Sequence, residues 1–363
     1  MGSGPLAPTD NEKEIVFTDS SGAQAQVGKY IHGVGDTTNA IAKKVDGAVG
    51  LGLVERIVRG YTYLSREYQP GDRIYIVGFS RGAYTARALA GFVAGKGLLD
   101  WAAMGLIAHS LESYSSGLAA WTQYKHAIHA DDTGILHALA ESITDFADRL
   151  ELGLHPAPEL KFTSDVSITA VGVWDTVGAL GIPDMQEQDG TSVRLDEFEF
   201  CDNSLSDRVE NGFHAIAIDE QRADFTPTLW DARPGVVQVL FPGAHADVGG
   251  GYLATESGLS NCALAWMAAR LAASGVLLTG MPQDAPNPLD IEHRPWADNS
   301  LYKLGPREFP PTLMLSQRVM QRIAAPNIQV EGKAQQQYRP TNIMNSYVKL
   351  DWSGPAPHAQ IAP

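Results

Sequence analysis

RIYIVGFSRGAYTARALA, at residues 73–90, is the stretch that most restricts the fold. Residues 74–77 are apolar and uncharged, which predicts a buried strand. The pentapeptide GFSRG (78–82) follows without a break, and from Ala83 the pattern becomes helical. A serine between a strand and a helix, with a glycine two residues away on either side, is typical of a nucleophile elbow.

The physical demands of such a turn make Ser80 a candidate nucleophile. A sharp strand-to-helix turn holds the serine in a strained backbone conformation, and the two glycines give the chain room to pass. The new helix directs its free N–H groups and the positive end of its dipole at the hydroxyl. The alternative interpretation is a glycine-rich turn with no chemical role.

Composition and charge narrow the class of protein. The chain has 363 residues, of which 44% are hydrophobic, enough for one large α/β domain with insertions or for two small domains. The net charge of -15 argues against a nucleic-acid partner and against electrostatic docking on an anionic membrane. Cys201 and Cys262 lack CxxC spacing, so neither a disulfide framework nor a zinc site is expected.

The distribution of apolar residues bears on localisation. The opening sequence MGSGPLAPTDNEKE contains no apolar core of a signal peptide. No stretch approaches the roughly 18 consecutive apolar residues of a spanning helix. We therefore expect a protein without a transmembrane segment that is cytoplasmic or exported without a signal peptide.

Strand and helix patterns alternate along the chain, which predicts an α/β fold with a mostly parallel central sheet and helices on both faces. Strands are predicted at residues 15–17, 27–31, 74–77, 167–174 and 236–241. Helices are predicted at residues 53–68, from 83 onward, from 212 onward, at 264–278 and at 318–323, with a loop at 43–52.

Two further segments belong to the expected organisation, which is a single domain over residues 1–363. Residues 98–152 have an amphipathic pattern dotted with aromatic residues, which predicts a helical insertion that packs on the core or caps a substrate. Residues 281–312 contain many prolines and no clear periodicity, which predicts a long surface connection over the site.

Three polar residues follow the C-terminal ends of predicted apolar strands: Ser80, Asp175 and His245. In an open parallel sheet these ends share one edge, where ligands bind, and the chain order Ser, Asp, His is that of the α/β-hydrolase fold. A neutral imidazole on His245 would remove the Ser80 proton. Asp175 would fix the tautomer of the imidazole and stabilise the imidazolium.

Acyl transfer also needs N–H donors for the oxyanion, each worth roughly 2.7–4 kcal/mol. The backbone N–H of Arg81 is one candidate. The second is Gly33 or Val34, in the glycine-rich turn HGVGD (32–36) after a predicted strand.

Each of these residues also has other interpretations. Asp175 is of a type that caps helices, and His245 can be a satisfied loop histidine. Asp247, two residues from His245, competes with Asp175 for the orienting role. Asp247 could instead bind a cation with loop carbonyls, although oxygen ligands are too few to indicate a calcium site. Arg81 could contact an anionic headgroup.

With these residues in place, the sequence resembles the uncharacterised α/β-hydrolase family that includes the catalytic domains of type VI secretion phospholipase effectors. The similarity spans residues from about 30 to 343. The matching pieces are HGVGD (32–36), RIYIVGFSRGAYTARALAGF (73–92), VGVWDTVGALGIP (171–183), FHAIAIDEQRADFTPTLW (213–230), LFPGAHADVGGGY (240–252), CALAWMA (262–268) and YRPTN (338–342).

The resemblance implies a serine esterase or lipase, which in the effectors acts on phospholipid acyl chains. Its catalytic positions match Ser80, Asp175 and His245. One departure concerns the second oxyanion donor. The family usually opens with a strand ending in an Asp-Gly-Thr-Gly turn, whereas IVFTDSSG (15–22) is a degraded version followed by a shorter segment.

We therefore expect a serine hydrolase that cleaves carboxylic esters, lipase-like or phospholipase-like, through an acyl-enzyme on Ser80 and without a cofactor or metal. Its expected partners are a small-molecule or lipid ester and, transiently, a membrane surface. The alternative is a non-catalytic binding protein with an impaired oxyanion hole. A phosphodiesterase using HADVGGG (245–251) would need a cluster of Asp and His ligands that this loop lacks.

Overall fold

The computed structural model describes residues 13–33, 47–128, 159–177, 203–278, 280, 285–297, 302–311, 313–344 and 361–362. The strands in these residues are β1 (Lys13–Thr18), β2 (Gln24–Tyr30), β3 (Tyr75–Phe79), β4 (Leu98–Leu99), β5 (Phe162–Thr163), β6 (Ile168–Trp174), β7 (Val209–Ala217), β8 (Val236–Phe241), β9 (Met314–Ser316) and β10 (Ile361–Ala362). The helices are α1 (Gly47–Glu67), α2 (Arg81–Lys96), α3 (Trp101–Met104), α4 (Leu111–Ile128), α5 (His245–Gly249), α6 (Gly258–Ala273), α7 (Gln317–Ala324) and α8 (Thr341–Met344).

A parallel sheet with the strand order β10-β9-β8-β7-β6-β3 forms the centre of the fold. Every neighbouring pair in it is parallel. The C-terminal ends of β3, β6, β7 and β8 therefore lie at one edge of the sheet. The predicted α/β fold with a mostly parallel central sheet is confirmed.

Helices cover both faces of this sheet. Because successive side chains on a strand point to opposite faces, the two sides of β6 can be separated residue by residue. Val171 and Val173 pack in a core with residues of α1, α2 and α4. Ala170 packs on the other face with Met267 and Leu271 of α6. This two-sided burial explains why β6 is an almost continuous apolar run.

The helix predicted from residue 212 onward is wrong, because this segment is the central strand β7. β7 lies between β6 and β8 and is buried along most of its length. A short apolar run such as GFHAIAI does not distinguish a buried strand from a buried helix by periodicity. The loop predicted at 43–52 is also wrong in part, since α1 begins at Gly47.

The first two strands form a hairpin of their own. β1 pairs with β2 in antiparallel register, in a sheet separate from the central one. The turn between them is built on Asp19, whose Oδ1 accepts hydrogen bonds from the N–H groups of Ser21 and Ala23. The sequence predicts both strands, whereas their pairing as a hairpin depends on this local turn.

The described part of the predicted insertion packs on the core. α4 lies against α1 and α2. The rings of Trp121 and Tyr124 lie 5.2 and 5.3 Å from that of Phe92 in α2. Residues 129–152, where the predicted insertion continues, are outside the described residues. No helix in the described part of the chain combines the length and apolar character needed to cross a bilayer.

The predicted surface connection, residues 281–312, is not confined to the surface. Its described parts, 285–297 and 302–311, contain no helix or regular strand. They nevertheless bury His293 and Arg307, which are 5% and 4% exposed. Their irregular backbone is held by charged side chains that contact the edge of the sheet where β3, β6 and β8 end.

Candidate active site

Ser80 lies in a strained turn between β3 and α2. Its φ of 58° and ψ of -125° are rare for a residue with a side chain. The Ser80 N–H donates to the carbonyl of Trp174, the last residue of β6, at 3.0 Å. The Ser80 carbonyl accepts from the N–H groups of Ala83 and Tyr84 in the first turn of α2. The backbone on both sides therefore holds the conformation that the elbow sequence predicts.

The two elbow glycines differ in how tightly they are packed. A Cβ on Gly78 would lie 2.2 Å from the carbonyl oxygen of Gly82, because the chain folds back on itself here. A Cβ on Gly82 would meet no atom within 4 Å. Of the two elbow glycines, only Gly78 must lack a side chain because the backbone approaches it closely.

The structure brings Ser80, His245 and Asp175 into one hydrogen-bonded chain. His245 Nε2 lies 2.7 Å from Ser80 Oγ, and His245 Nδ1 lies 2.6 Å from Asp175 Oδ2. Asp175 follows β6 and is fully buried, and His245 opens α5 after β8 and is 6% exposed. Three residues far apart in the sequence meet because their strands end at the same edge.

Two aromatic rings confine the imidazole of His245. The ring of Phe79 lies 4.6 Å from it, centroid to centroid, and that of Phe225 lies 4.9 Å away in a T-shaped arrangement. A Cβ on Gly249 would lie 1.9 Å from the Phe79 ring, so this glycine lets α5 approach β3. The rings restrict the rotation of the imidazole and keep water from much of its surface.

Sequence reasoning missed Arg307, which binds the carboxylate of Asp175 with both terminal nitrogens. The two N···O distances are 2.7 Å to Oδ1 and 2.9 Å to Oδ2. Burial opposes ionisation of Asp175, but the charge of Arg307 and the hydrogen bonds from His245 and Arg307 outweigh it and hold the pKa of Asp175 well below its usual value. Arg307 follows Asp175 by 132 positions in a proline-rich segment, and no local pattern marks it.

Asp247, the other candidate for orienting His245, binds a different histidine. Its Oδ1 lies 2.6 Å from Nδ1 of His293, and its Oδ2 accepts the N–H groups of His293 and Ala244. Tyr252 stacks on the His293 ring at 3.5 Å, and Glu256 Oε2 lies 3.5 Å from His293 Nε2. Asp247 thus ties α5 to residues 285–297.

The environment of His293 favours its charged form. Burial lowers the pKa of His293, but the hydrogen bond and charge of Asp247, with smaller contributions from Glu256 and the charge of Glu331, outweigh it, so that the pKa is raised above its usual value. His293 therefore links α5, which carries His245, to residues 285–297.

Two acidic residues after β7 hold the loop before α5. Glu220 accepts the His245 N–H at 3.3 Å and is bound by Arg222 through two hydrogen bonds of 2.9 and 2.7 Å. Asp219 accepts from the Gly243 N–H and from the Tyr338 hydroxyl. Glu220 thus pairs with Arg222, and Asp219 with Tyr338.

Comparison with known proteins identifies the family. The family described as "T6SS, Phospholipase effector Tle1-like, catalytic domain" matches residues 10–270. The chain belongs to this family. The resemblance inferred from the elbow and from PGAHADVGGGY is thereby confirmed. Arg307 and His293 lie beyond the matched residues of the Tle1-like catalytic domain.

The individual relatives are distant. The uncharacterized protein YEL023C of Saccharomyces cerevisiae is 24% identical over 204 residues, which is 56% of this chain and 25% of that protein. A solved structure of the Tle1 effector bound to the VgrG spike from the type 6 secretion system is 20% identical, with a TM-score of 0.28, over 58% of this chain and 33% of that one. The chain spans about a quarter of the curated relative and a third of the solved effector chain.

The predicted oxyanion donors of this Tle1-like domain differ in how much the structure shows of them. The N–H of Arg81 belongs to the first residue of α2 and is one of the N–H groups that a helix leaves without an internal partner. The carbonyl of Gly33 accepts a hydrogen bond from Arg56 of α1 at 3.1 Å. Val34 lies outside the described residues. The second donor remains a prediction.

The part of the chain that the structure describes contains no group of three or more His, Cys, Asp or Glu side chains arranged to hold a metal ion. In the loop HADVGGG, the carboxylate of Asp247 is engaged by Ala244 and His293.

We predict that Gly78→Ala destabilises the protein while Gly82→Ala does not. The added methyl group at residue 78 collides with backbone, and such overpacking costs about 1–3 kcal/mol or more. The methyl group at residue 82 enters open space in the first turn of a helix, where the change stays within about 1 kcal/mol. Urea unfolding of both variants measures the difference. Equal free energies of unfolding would contradict the packing argument.

We predict that His293→Gln reduces stability more in acid than in base. Because the folded-state pKa of His293 is raised, its contribution is fully present below the unfolded-state value of about 6.5 and is lost as the pH rises through the folded-state pKa. The difference in free energy of unfolding between wild type and variant should therefore be larger at about pH 6 than at about pH 9. A difference that is constant or grows with pH would contradict a raised pKa of His293 in the folded state.

Proposed function

We propose that this chain is a serine hydrolase that cleaves carboxylic esters, with phospholipid or lysophospholipid acyl esters as its substrate class. The observation that carries the proposal is the hydrogen-bonded chain from Ser80 Oγ through His245 to Asp175, at a strained elbow. Membership of the Tle1-like phospholipase family supports the choice of ester.

The geometry supports a two-step acyl transfer. His245 Nε2 removes the proton of Ser80 Oγ as the oxygen attacks the ester carbonyl. The tetrahedral oxyanion accepts the Arg81 N–H, and the leaving alcohol departs with the proton from His245 as the acyl-enzyme forms. Water, deprotonated by the same nitrogen, then attacks the acyl group, and Ser80 regains its proton when the carboxylic acid leaves.

Asp175 determines which nitrogen of His245 accepts the proton from Ser80. Its carboxylate is held against Nδ1, so Nδ1 carries the proton and Nε2 faces Ser80 as an acceptor. When Nε2 takes the serine proton, the imidazolium forms beside a carboxylate that is already ionised. The site thus provides the base and the compensating charge before substrate arrives.

We place the whole chain, residues 1–363, in one hydrolase domain. The central sheet includes β9 and β10, which lie C-terminal to the residues matched by the family. Arg307, which also follows the matched residues, contacts Asp175 directly. Residues on both sides of position 270 therefore build one sheet and one site.

Two exposed leucines suit contact with a lipid surface. Leu253 is 71% exposed and follows Tyr252, which packs on His293 beside α5. Leu304 is 57% exposed and its backbone pairs with that of Arg222, which is next to the site. With a net charge of -15, the protein gains more from inserting apolar side chains than from attracting anionic headgroups.

The second candidate function is that of a non-catalytic binding protein. The β1–β2 hairpin favours it, because the tight turn at Asp19 stands where the family carries its Asp-Gly-Thr-Gly turn. Labelling with a fluorophosphonate distinguishes the two functions, since an activated serine reacts and an idle one does not. Absence of labelling at Ser80 in the folded wild-type protein would favour the binding function.

We predict that Ser80→Ala abolishes hydrolysis of short p-nitrophenyl esters, and that His245→Ala lowers kcat almost as much. Residues of a triad act as a unit, and losses of about 10⁴-fold or more are expected. Ser115→Ala, which changes a half-buried serine of α4 away from His245 and Asp175 in the sequence, is the matched control and should keep full activity. Turnover by a folded Ser80→Ala protein would remove the elbow from the mechanism.

We predict that Leu253→Asn and Leu304→Asn reduce hydrolysis of phospholipid vesicles several-fold while leaving a water-soluble ester unaffected. The matched control is Leu277→Asn, because Leu277 is 48% exposed and follows Ser274, whose carbonyl accepts the hydroxyl of Tyr75 at the opposite, N-terminal end of β3. Vesicle and soluble-ester rates are compared for all three variants. Equal vesicle activity in the three would exclude these leucines from lipid contact.

A further inference from the structure

We propose that Arg307 is a positioning residue for this reaction: it fixes the carboxylate of Asp175 against His245, and its charge sets the acidic limit of activity. The inference rests on the proposed acyl transfer at Ser80. Arg307 lies in the C-terminal part of this chain, outside residues 10–270, which match the family.

Arg307 is itself held rigidly. Its side chain is 2% exposed, and besides Asp175 its nitrogens donate to the carbonyls of Ala217 and Phe225. Ala217 ends β7, and Phe225 is the residue whose ring packs on His245. A guanidinium is planar and offers its donors in a fixed fork, so anchoring it at several points also fixes the plane of the carboxylate that it binds.

Hydrogen bonds occupy both oxygens of the Asp175 carboxylate and fix its orientation. Oδ1 accepts from Arg307 and from the Ala217 N–H, at 2.7 and 2.9 Å. Oδ2 accepts from Arg307 at 2.9 Å and lies 2.6 Å from His245 Nδ1. A carboxylate has about four acceptor positions, and all are used. Without Arg307 one position on each oxygen is empty, and the carboxylate can turn away from the imidazole.

The charges around the His245 ring are almost balanced. They come from the end of β6 (Asp175), from the segment after β7 (Glu220, bound to Arg222), from residues 302–311 (Arg307) and from its own helix (Asp247, bound to His293). His214 of β7, behind Asp175, is neutral, because burial and then the charge of Arg87 lower its pKa to about 3. Each of these carboxylates thus has one basic partner.

Removing Arg307 disturbs this balance in a direction that can be measured. Even if its carboxylate turns, Asp175 then remains close to His245 as an uncompensated negative charge in a dry site, which favours a proton on the imidazole. A protonated imidazole cannot accept the Ser80 proton. The acidic limb of the pH profile of kcat/KM should therefore move to higher pH.

The experiment compares Arg307→Met and Arg307→Lys with wild type on a short p-nitrophenyl ester. For Arg307→Met we expect kcat to fall on the order of 10²-fold, as for a misplaced catalytic group, with KM changed by less than about twofold. Its acidic limb should move up by about one pH unit or more. Arg307→Lys keeps the positive charge but loses the forked donors of the guanidinium. Its kcat should therefore fall, while the acidic limb of its pH profile stays near that of wild type.

Arg208→Met is the matched control. Arg208 is an exposed arginine that pairs with Asp165 at 3.5 Å on the surface, so its loss should leave both kcat and the pH profile unchanged. A folded Arg307→Met protein with the wild-type kcat and pH profile would overturn the proposal. If Arg307→Met does not fold, Arg307→Lys decides the orienting role: wild-type kcat in that variant would equally overturn it.

A second readout separates this inference from the proposed function. The Nδ1 proton of a histidine bound to a carboxylate gives a far-downfield proton NMR signal that does not depend on turnover. We expect this signal in wild type and Arg208→Met and its loss or upfield shift in the Arg307 variants. If wild type shows no Ser80-dependent hydrolysis, the proposed function fails, and the NMR signal alone decides the role of Arg307. An unchanged signal in both Arg307 variants would refute it.

Discussion

The common direction of the central strands is the constraint on which the rest of the structure depends. Because β3, β6 and β8 are parallel, the residues that follow them meet at one edge, although Ser80 and His245 are 165 positions apart. β7, between β6 and β8, carries none of Ser80, Asp175 and His245, but the residues at its end hold two of them. Ala217 binds Asp175, and Glu220 binds the backbone of His245. The sheet order therefore determines which side chains meet at this edge and which residues hold them in place.

Charge compensation is the second organising feature. Around His245, three carboxylates are withdrawn from water, and each has a basic partner: Asp175 has Arg307, Glu220 has Arg222, and Asp247 has His293. A buried carboxylate without a partner would be costly, so these pairs bind irregular segments to the sheet where backbone ladders are absent. Because the pairs are hydrogen-bonded at several points, they also restrict the positions of the loops that carry them.

The features that the sequence predicts well are those encoded by neighbouring residues. The elbow at Ser80, the strand Val236–Phe241 and the alternation that implies a parallel sheet are all encoded in short patterns of apolar residues and glycines. The helix predicted for β7 was wrong because a strand buried on both faces has no period. Arg307 could not be predicted, because its role comes from a contact 132 positions away and charged residues in a proline-rich segment normally face water.

The placement of Arg307 has a consequence for biosynthesis. Ser80, Asp175 and His245 are all translated before residue 250, but the cation that neutralises the buried Asp175 is added only when the ribosome has passed residue 307. A nascent chain that has folded its sheet up to β8 and α5 holds Ser80, His245 and an Asp175 carboxylate that still lacks its arginine partner. The contacts around Asp175 are therefore completed late in synthesis, after the segment that carries Arg307 has left the ribosome and joined the folded sheet.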